Sequence, residues 1–195
     1  MLDGVHVRLP RAAHTSRPWR IHDLAPDFRV EDVWALPTPG GPDDFPRLVE
    51  LVTALDPSRS SSRSARALFE IRRRLGEILG LDAPESGLGA RVPTLRDRLP
   101  ADLRETSSEV GPGVLPFTPV YLTDDELAVE VANRTVHGVL HVGWVRDGDG
   151  YRGQLAILVK RNGLLGGAYM AAITPFRYLI VYPQLLRDIG RAWGG

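Results

Sequence analysis

The stretch Glu126–Arg161, ELAVEVANRTVHGVLHVGWVRDGDGYRGQLAILVKR, decides the fold class. Its apolar residues recur at every second position, which is the side-chain period of a β-strand. Leu127, Val129 and Val131 share one face of the first run. Val136, Leu140, Val142 and Trp144 share a face of the second, and Leu155, Ile157 and Val159 a face of the third. Asn133-Arg134 reads as a two-residue turn, and Asp147-Gly148-Asp149-Gly150 as a four-residue one. Strands joined this closely pair antiparallel. The apolar set moves from even to odd positions across the second turn, which requires an even loop length, and DGDG supplies it.

Upstream of the meander, Val114–Leu122 contains Pro116 and Pro119, which suits only an edge strand. Thr123-Asp124-Asp125 then turns the chain. Arg29–Leu36 (RVEDVWAL) reads as a first strand ended by Pro37, and PTPGGP (37–42) as a loop. Asp43 or Asp44 caps a helix running through Leu55. A second helix carries Leu68, Ile71, Leu75 and Ile78 at spacings of three and four and stops at Gly80. Residues 1–28, punctuated by Pro10, Pro18 and Pro26, read as irregular, and residues 82–113 as a long connection with room for one short element. Downstream, Thr174-Pro175 is an N-cap followed by proline at the first helical position. Tyr169, Ile173, Phe176 and Ile180 fall on one arc, and beyond Pro183 the set becomes Leu185, Leu186, Ile189 and Trp193 on another. That change predicts a proline kink. The predicted fold class is therefore α+β: a curved antiparallel sheet wrapped on a long kinked C-terminal helix, with two helices after the first strand, in a single domain over 1–195.

At 195 residues, 43% apolar and 25% charged, the chain is of ordinary globular composition and long enough to bury a core. It has no cysteine, which excludes thiolate catalysis, disulfides and cysteine-ligated zinc. Its formal net charge is zero, so no global field favours nucleic acid, and none is expected as a partner. The run Arg59, Arg63, Arg66, Arg72, Arg73 and Arg74 is read as a solvated helix face, with a contact patch for phosphate or a partner as its rival. Met1–Arg11 has no apolar core of signal-peptide length, and no run approaches the ~20 apolar residues of a membrane span. The expectation is a cytoplasmic chain without cofactor; its oligomeric state is not set by any motif.

Three stretches carry a family resemblance: LFEIRRRLGEILGLD (68–82), NRTVHGVLHVGWV (133–145) and YMAAITPFRYLIVYP (169–183). Together they resemble an uncharacterised bacterial domain-of-unknown-function family of the START-like, Bet v 1-like (helix-grip) superfamily. The resemblance covers most of the chain from about Asp27 onward. It implies an apolar cavity between sheet and final helix that takes a hydrophobic small molecule, and it carries over no catalytic residue. Trp34, Tyr121, Trp144, Tyr169, Ile173 and Phe176 then line that cavity, with Arg177 at its mouth to hold a ligand carboxylate or phenolate. The bland reading of the same aromatics is core.

If Asn133-Arg134 forms the turn, Glu130 faces His137 and Glu126 faces His141, with Cβ atoms ~5 Å apart. Each pair then makes a carboxylate–imidazole dyad suited to general acid–base chemistry. Both pairs fall on the face opposite Val136, Leu140, Val142 and Trp144, so the sequence predicts cross-strand charge pairs on the outer, partly solvated face. His137 and His141 do not make a metal pair, because four residues along a strand separate their Cα atoms by ~13 Å; no metal is expected. Asn162–Gly167 lacks the spacing of a phosphate-binding loop and reads as a turn. Three functions follow: a binder of a hydrophobic small molecule, an enzyme of polyketide cyclase or dehydratase type with His137 and Glu130 as base and orienter, and a ligand-free interaction module using the arginine-rich helix.

Overall fold

The computed structural model describes residues 7–54, 88, 92–106, 117–132, 136–161 and 182–195. Along the chain these form β1 (Arg8–Leu9), α1 (Ala12–Thr15), α2 (Arg20–Leu24), β2 (Arg29–Ala35) and α3 (Phe45–Ala54). A 3-10 turn (Leu95–Arg98) and α4 (Ala101–Thr106) follow. Then come β3 (Thr118–Leu122), β4 (Glu126–Ala132), β5 (Val136–Asp147), β6 (Gly150–Arg161) and α5 (Tyr182–Gly194). The strands make one open, curved, antiparallel sheet in the order β1-β2-β6-β5-β4-β3, and the class is α+β. The second helix with its arginines, the Asn162 loop and residues 162–181 lie outside the described residues.

The meander forms as its period predicts, with two differences in register. β4 pairs with β5 through Ala132↔His137, Glu130↔Val139 and Glu126↔Gly143, two residues out of step with a two-residue Asn133-Arg134 turn. A shift of two preserves parity, so every side chain keeps its face. The β5–β6 turn is shorter than read: Asp147 pairs with Gly150, and Gly148 takes φ 61° in a two-residue loop. A positive φ at no steric cost is what glycine supplies there. β3 is an edge strand, and its register shifts between Pro119 and Tyr121, where a proline can be tolerated.

Both faces of the sheet are covered. On one, Trp34, Leu127, Val129, Val142, Trp144 and Leu155 pack against Phe45 and Leu48 of α3 and Tyr182, Leu186, Ile189 and Trp193 of α5. Of the predicted arc beyond Pro183, Leu186, Ile189 and Trp193 are buried and Leu185 only partly so, and Pro183 sits in the first turn of α5. On the other face, Val33, Tyr121, Ala128, Val139, Val145 and Leu158 pack against Trp19, Ile21 and Leu24, and against Leu95, Leu99 and Leu103. Residues 10–28 are thus a structured cover holding α1 and α2, where the sequence reads as irregular. One-turn helices are too short to show a 3.6-residue period.

Trp19 seats on Gly143. A Cβ there would meet the indole ring at 2.7 and 2.8 Å, whereas one at Gly138 would meet only Val131 at 3.8 Å. A rigid ring cannot yield as a flexible chain end can. Gly143→Ala is expected to cost ~1–3 kcal/mol of stability through overpacking, while Gly138→Ala is expected to be neutral or slightly stabilising. Paired urea melts check the contrast, and equal losses would refute it.

Candidate functional site

The two Glu–His pairs read from the sequence exist, but not where the sequence puts them. His141 Nε2 lies 2.9 Å from Glu126 Oε2, and His137 Nε2 lies 2.7 Å from Glu130 Oε2. The register shift makes each pair diagonal rather than directly opposed, within reach of these longer side chains. The expectation of an outer, partly solvated face is corrected: Glu126, Glu130, His137 and His141 are 3%, 0%, 3% and 0% exposed, beneath residues 10–28 and 94–103. A buried carboxylate persists only with its oxygens hydrogen-bonded, and here the covering segments supply the donors.

Glu126 accepts three hydrogen bonds: from the Arg20 backbone N–H at 2.9 Å, from the Tyr121 hydroxyl at 2.8 Å and from His141. Burial alone would raise its pKa. The bonds from His141, Arg20 and Tyr121 outweigh that, and the carboxyl is held below its usual range. Burial, then the adjacent Glu126 charge, pushes the Tyr121 hydroxyl well above its ordinary value, so it remains a donor. Glu130 accepts from the Thr94 hydroxyl, from the Leu95 N–H at 3.1 Å and from His137. Phe28 packs edge-on against His137.

A carboxylate only accepts, so the proton on His141 is at Nε2. Its Nδ1 is then an acceptor, and it lies 3.1 Å from Nε2 of His14, itself fully buried in α1. That assigns the His14 proton to Nε2 and leaves His14 Nδ1 as a buried lone pair with no partner. Burial, then His141 and His22, holds His14 down to about 2, and burial also lowers His141. The product is a hydrogen-bonded row, Tyr121–Glu126–His141–His14, running from the sheet into its cover. His22 packs edge-on to His14, with ring centroids 4.9 Å apart. An open groove of about 510 Å³ reaches Glu126 past Trp19, Arg20, Asp102, Thr123 and Trp144.

The proposed cavity wall divides. Trp34 and Trp144 are buried on the α5 face, Trp34 against Tyr182 and Trp144 against Trp193. Tyr121 is not with them. The register shift after Pro119 turns it to the opposite face, where it serves Glu126. A second shift, between Val30 and Asp32 in β2, brings Asp32 to the α5 face, where it accepts from the Tyr182 hydroxyl at 2.9 Å. Tyr169, Ile173, Phe176 and Arg177 lie outside the described residues. His14, His22, Thr94 and Arg20 were missed by sequence reasoning, since each comes from an aperiodic segment that meets the pairs only in three dimensions. Among the described residues, no group of three or more His, Asp or Glu side chains is placed to hold a metal ion.

The sheet covered on both faces, with two buried carboxylate–imidazole pairs between it and its N-terminal cover, defines an α+β domain with a polar inner layer. Residues 24–184 match the family described as "Protein of unknown function (DUF2867)", and the chain belongs to that family. No curated protein and no solved structure matches the chain. No helix among the described residues is long and apolar enough to cross a membrane.

Proposed function

We propose that the chain binds an apolar small molecule against the α5 face of the sheet, in the manner of a START-like, helix-grip domain. One observation carries this reading. Leu140 and Ile157 stand directly opposite each other on the two central strands, facing α3 and α5, yet both are only partly buried. Phe117 and Leu122 on the same face are partly buried too. Across the sheet, the neighbouring pair Val139 and Leu158 is sealed, each 1% exposed. Apolar surface left open at a sheet centre forfeits ~25 cal/mol per Å². An apolar ligand on this floor recovers it. In this reading Trp34 and Trp144 back the floor, Tyr169, Ile173 and Phe176 supply the facing wall, and Arg177 holds an acidic group at the mouth. The chain acts in the cytoplasm.

The rival reading, a cyclase- or dehydratase-like enzyme using His137 and Glu130, draws less support. Thr94, Leu95 and His137 already occupy the Glu130 carboxylate, which favours a role in fastening the cover. Native mass spectrometry of protein from its own host, followed by titration with fatty acids and an environment-sensitive dye, tests the proposal. Wild type is expected to bind saturably, and Leu140→Trp, which fills the floor, is expected to lose binding with its circular dichroism intact. Absence of binding by wild type, or binding unchanged in Leu140→Trp, would overturn it.

A further inference from the structure

We propose that residues 10–24 form a strap that acidification releases from the sheet, with the His14–His141 contact as its latch. The strap is tethered at both ends. Before it, Arg8 and Leu9 pair with Trp34 and Val33 of β2. After it, Asp27 is held by Arg98 at 2.7 Å and Lys160 at 2.8 Å. Between the tethers its polar attachments to the sheet, among the described residues, are few: the exposed Arg11 guanidinium to the Glu31 carbonyl and carboxylate of β2 at 3.4 and 3.5 Å, His14 to His141, the Arg20 N–H to Glu126, and the Gln154 amide to the Ala13 carbonyl at 3.3 Å. Trp19, Ile21 and Leu24 supply the apolar contact that keeps it closed.

The latch has no well-satisfied protonated form. A first added proton on His141 Nδ1 forces His14 into its other tautomer and leaves a buried Nδ1–H without an acceptor. A second sets two N–H groups head to head. The charged and titratable groups around the latch do not relieve this. His22 of α2 packs against His14, and a charge there opposes a charge on His14. Glu126 of β4 attracts, but it lies beyond His141 and already accepts from Tyr121 and Arg20. Asp125, at the β3–β4 turn, acts on His141 weakly and last among its influences. The Arg20 guanidinium is committed to Asp102.

Released, both rings meet water and take up protons near the ordinary histidine value of ~6.5. Both are depressed in the closed state. The sign follows: closure is fully favoured above that value and weakens as pH falls below it, up to ~10-fold per pH unit for each proton taken up. Hydrogen exchange of the strap peptide, divided by the intrinsic rate at each pH from 7.5 to 5.0, reads this directly. In wild type the opening of residues 10–24 is expected to rise by more than ~10-fold per pH unit below 6.5 while β5 and β6 stay protected. His14→Gln keeps a donor to His141 and leaves one titrating ring, so its slope should be at most ~10-fold per unit. His14→Gln with His141→Gln should be flat. Strap exchange that rises only together with β5 and β6, or a slope unchanged in the double variant, would overturn the proposal. Should the variants fail to fold, nitrogen-15 spectra of the wild-type histidines decide. Neutral rings in the closed state at pH 6 are required, and a charged His14 under a protected strap overturns it.

Discussion

Glu126→Ala is expected to destabilise the protein by ~3–5 kcal/mol, read as a lowered midpoint in urea at pH 7.5. The loss comes from what remains rather than from what is removed. The Tyr121 hydroxyl, the His141 Nε2–H and the Arg20 N–H all point at the carboxylate from buried or part-buried positions. Each buried donor left without an acceptor costs ~1–3 kcal/mol, and relaxation or water entry recovers part of the sum. Glu126→Gln keeps the shape, loses the charge and turns one acceptor into a donor, so its loss should fall between wild type and alanine. Asp147→Ala is the control: its ion pair with Arg152 is solvent-exposed on the aspartate side, and such pairs are worth under ~1 kcal/mol. Should Glu126→Ala cost no more than Asp147→Ala, the carboxylate is not the fastening point of the cover.

The same residues show how far the sequence could be read. The period of two in β4, β5 and β6 is legible because one face carries no polar side chain between the strand ends, where Arg146 and Arg161 stand. The partnership of Glu126 with His141 and of Glu130 with His137 survived a wrong turn length, because a shift of two residues moves partners along a strand without turning them over. Which side of the sheet lay open was misread. Glu126, Glu130, His137, His141 and Gln154 look like a solvent face, and they are buried only because Thr94, Leu95, Arg20 and Ala13 approach from distant segments. A signal was present: Ala128, Val139, Val145, Ala156 and Leu158 make that second face as apolar as polar, as a doubly covered strand requires. Tyr121 is expected at the cavity wall, and a register shift one residue before it turns it to the opposite face, while a like shift in β2 brings Asp32 to the α5 face. Nothing in local propensity foretells that Trp19 seats on Gly143.

Trp144→Ala tests the opposite layer and is expected to cost ~3–5 kcal/mol, lowering the melting temperature on the order of 10 °C. The indole is 5% exposed and lies among three other aromatics: Tyr151 stacked at 6.4 Å, Trp193 at 5.9 Å and Phe45 at 6.4 Å. Its Nε1–H donates to the Gly41 carbonyl at 3.0 Å, and Trp193 donates to Pro39 at 2.9 Å, so the two indoles pin the loop ahead of α3. Truncation removes the ring, opens a cavity that Trp193 and Phe45 can close only in part, and leaves the Gly41 carbonyl short of a donor. Trp144→Phe keeps most of the packing and loses that bond, so ~1–2 kcal/mol is expected. Leu140→Ala provides the comparison that matters for the proposed ligand floor. A leucine in a filled core costs ~2–5 kcal/mol on truncation. One already facing open space loses fewer contacts, and Leu140 should fall below that range in the ligand-free protein. Adding a fatty acid should enlarge the Leu140→Ala deficit toward the filled-core range, since the ligand supplies wild-type Leu140 with its missing neighbours, and should leave the Trp144→Ala deficit unchanged. A full core cost at Leu140 would mean that the α5 face is filled as tightly as the tryptophan cluster beside it, and the floor would then have no room for a ligand.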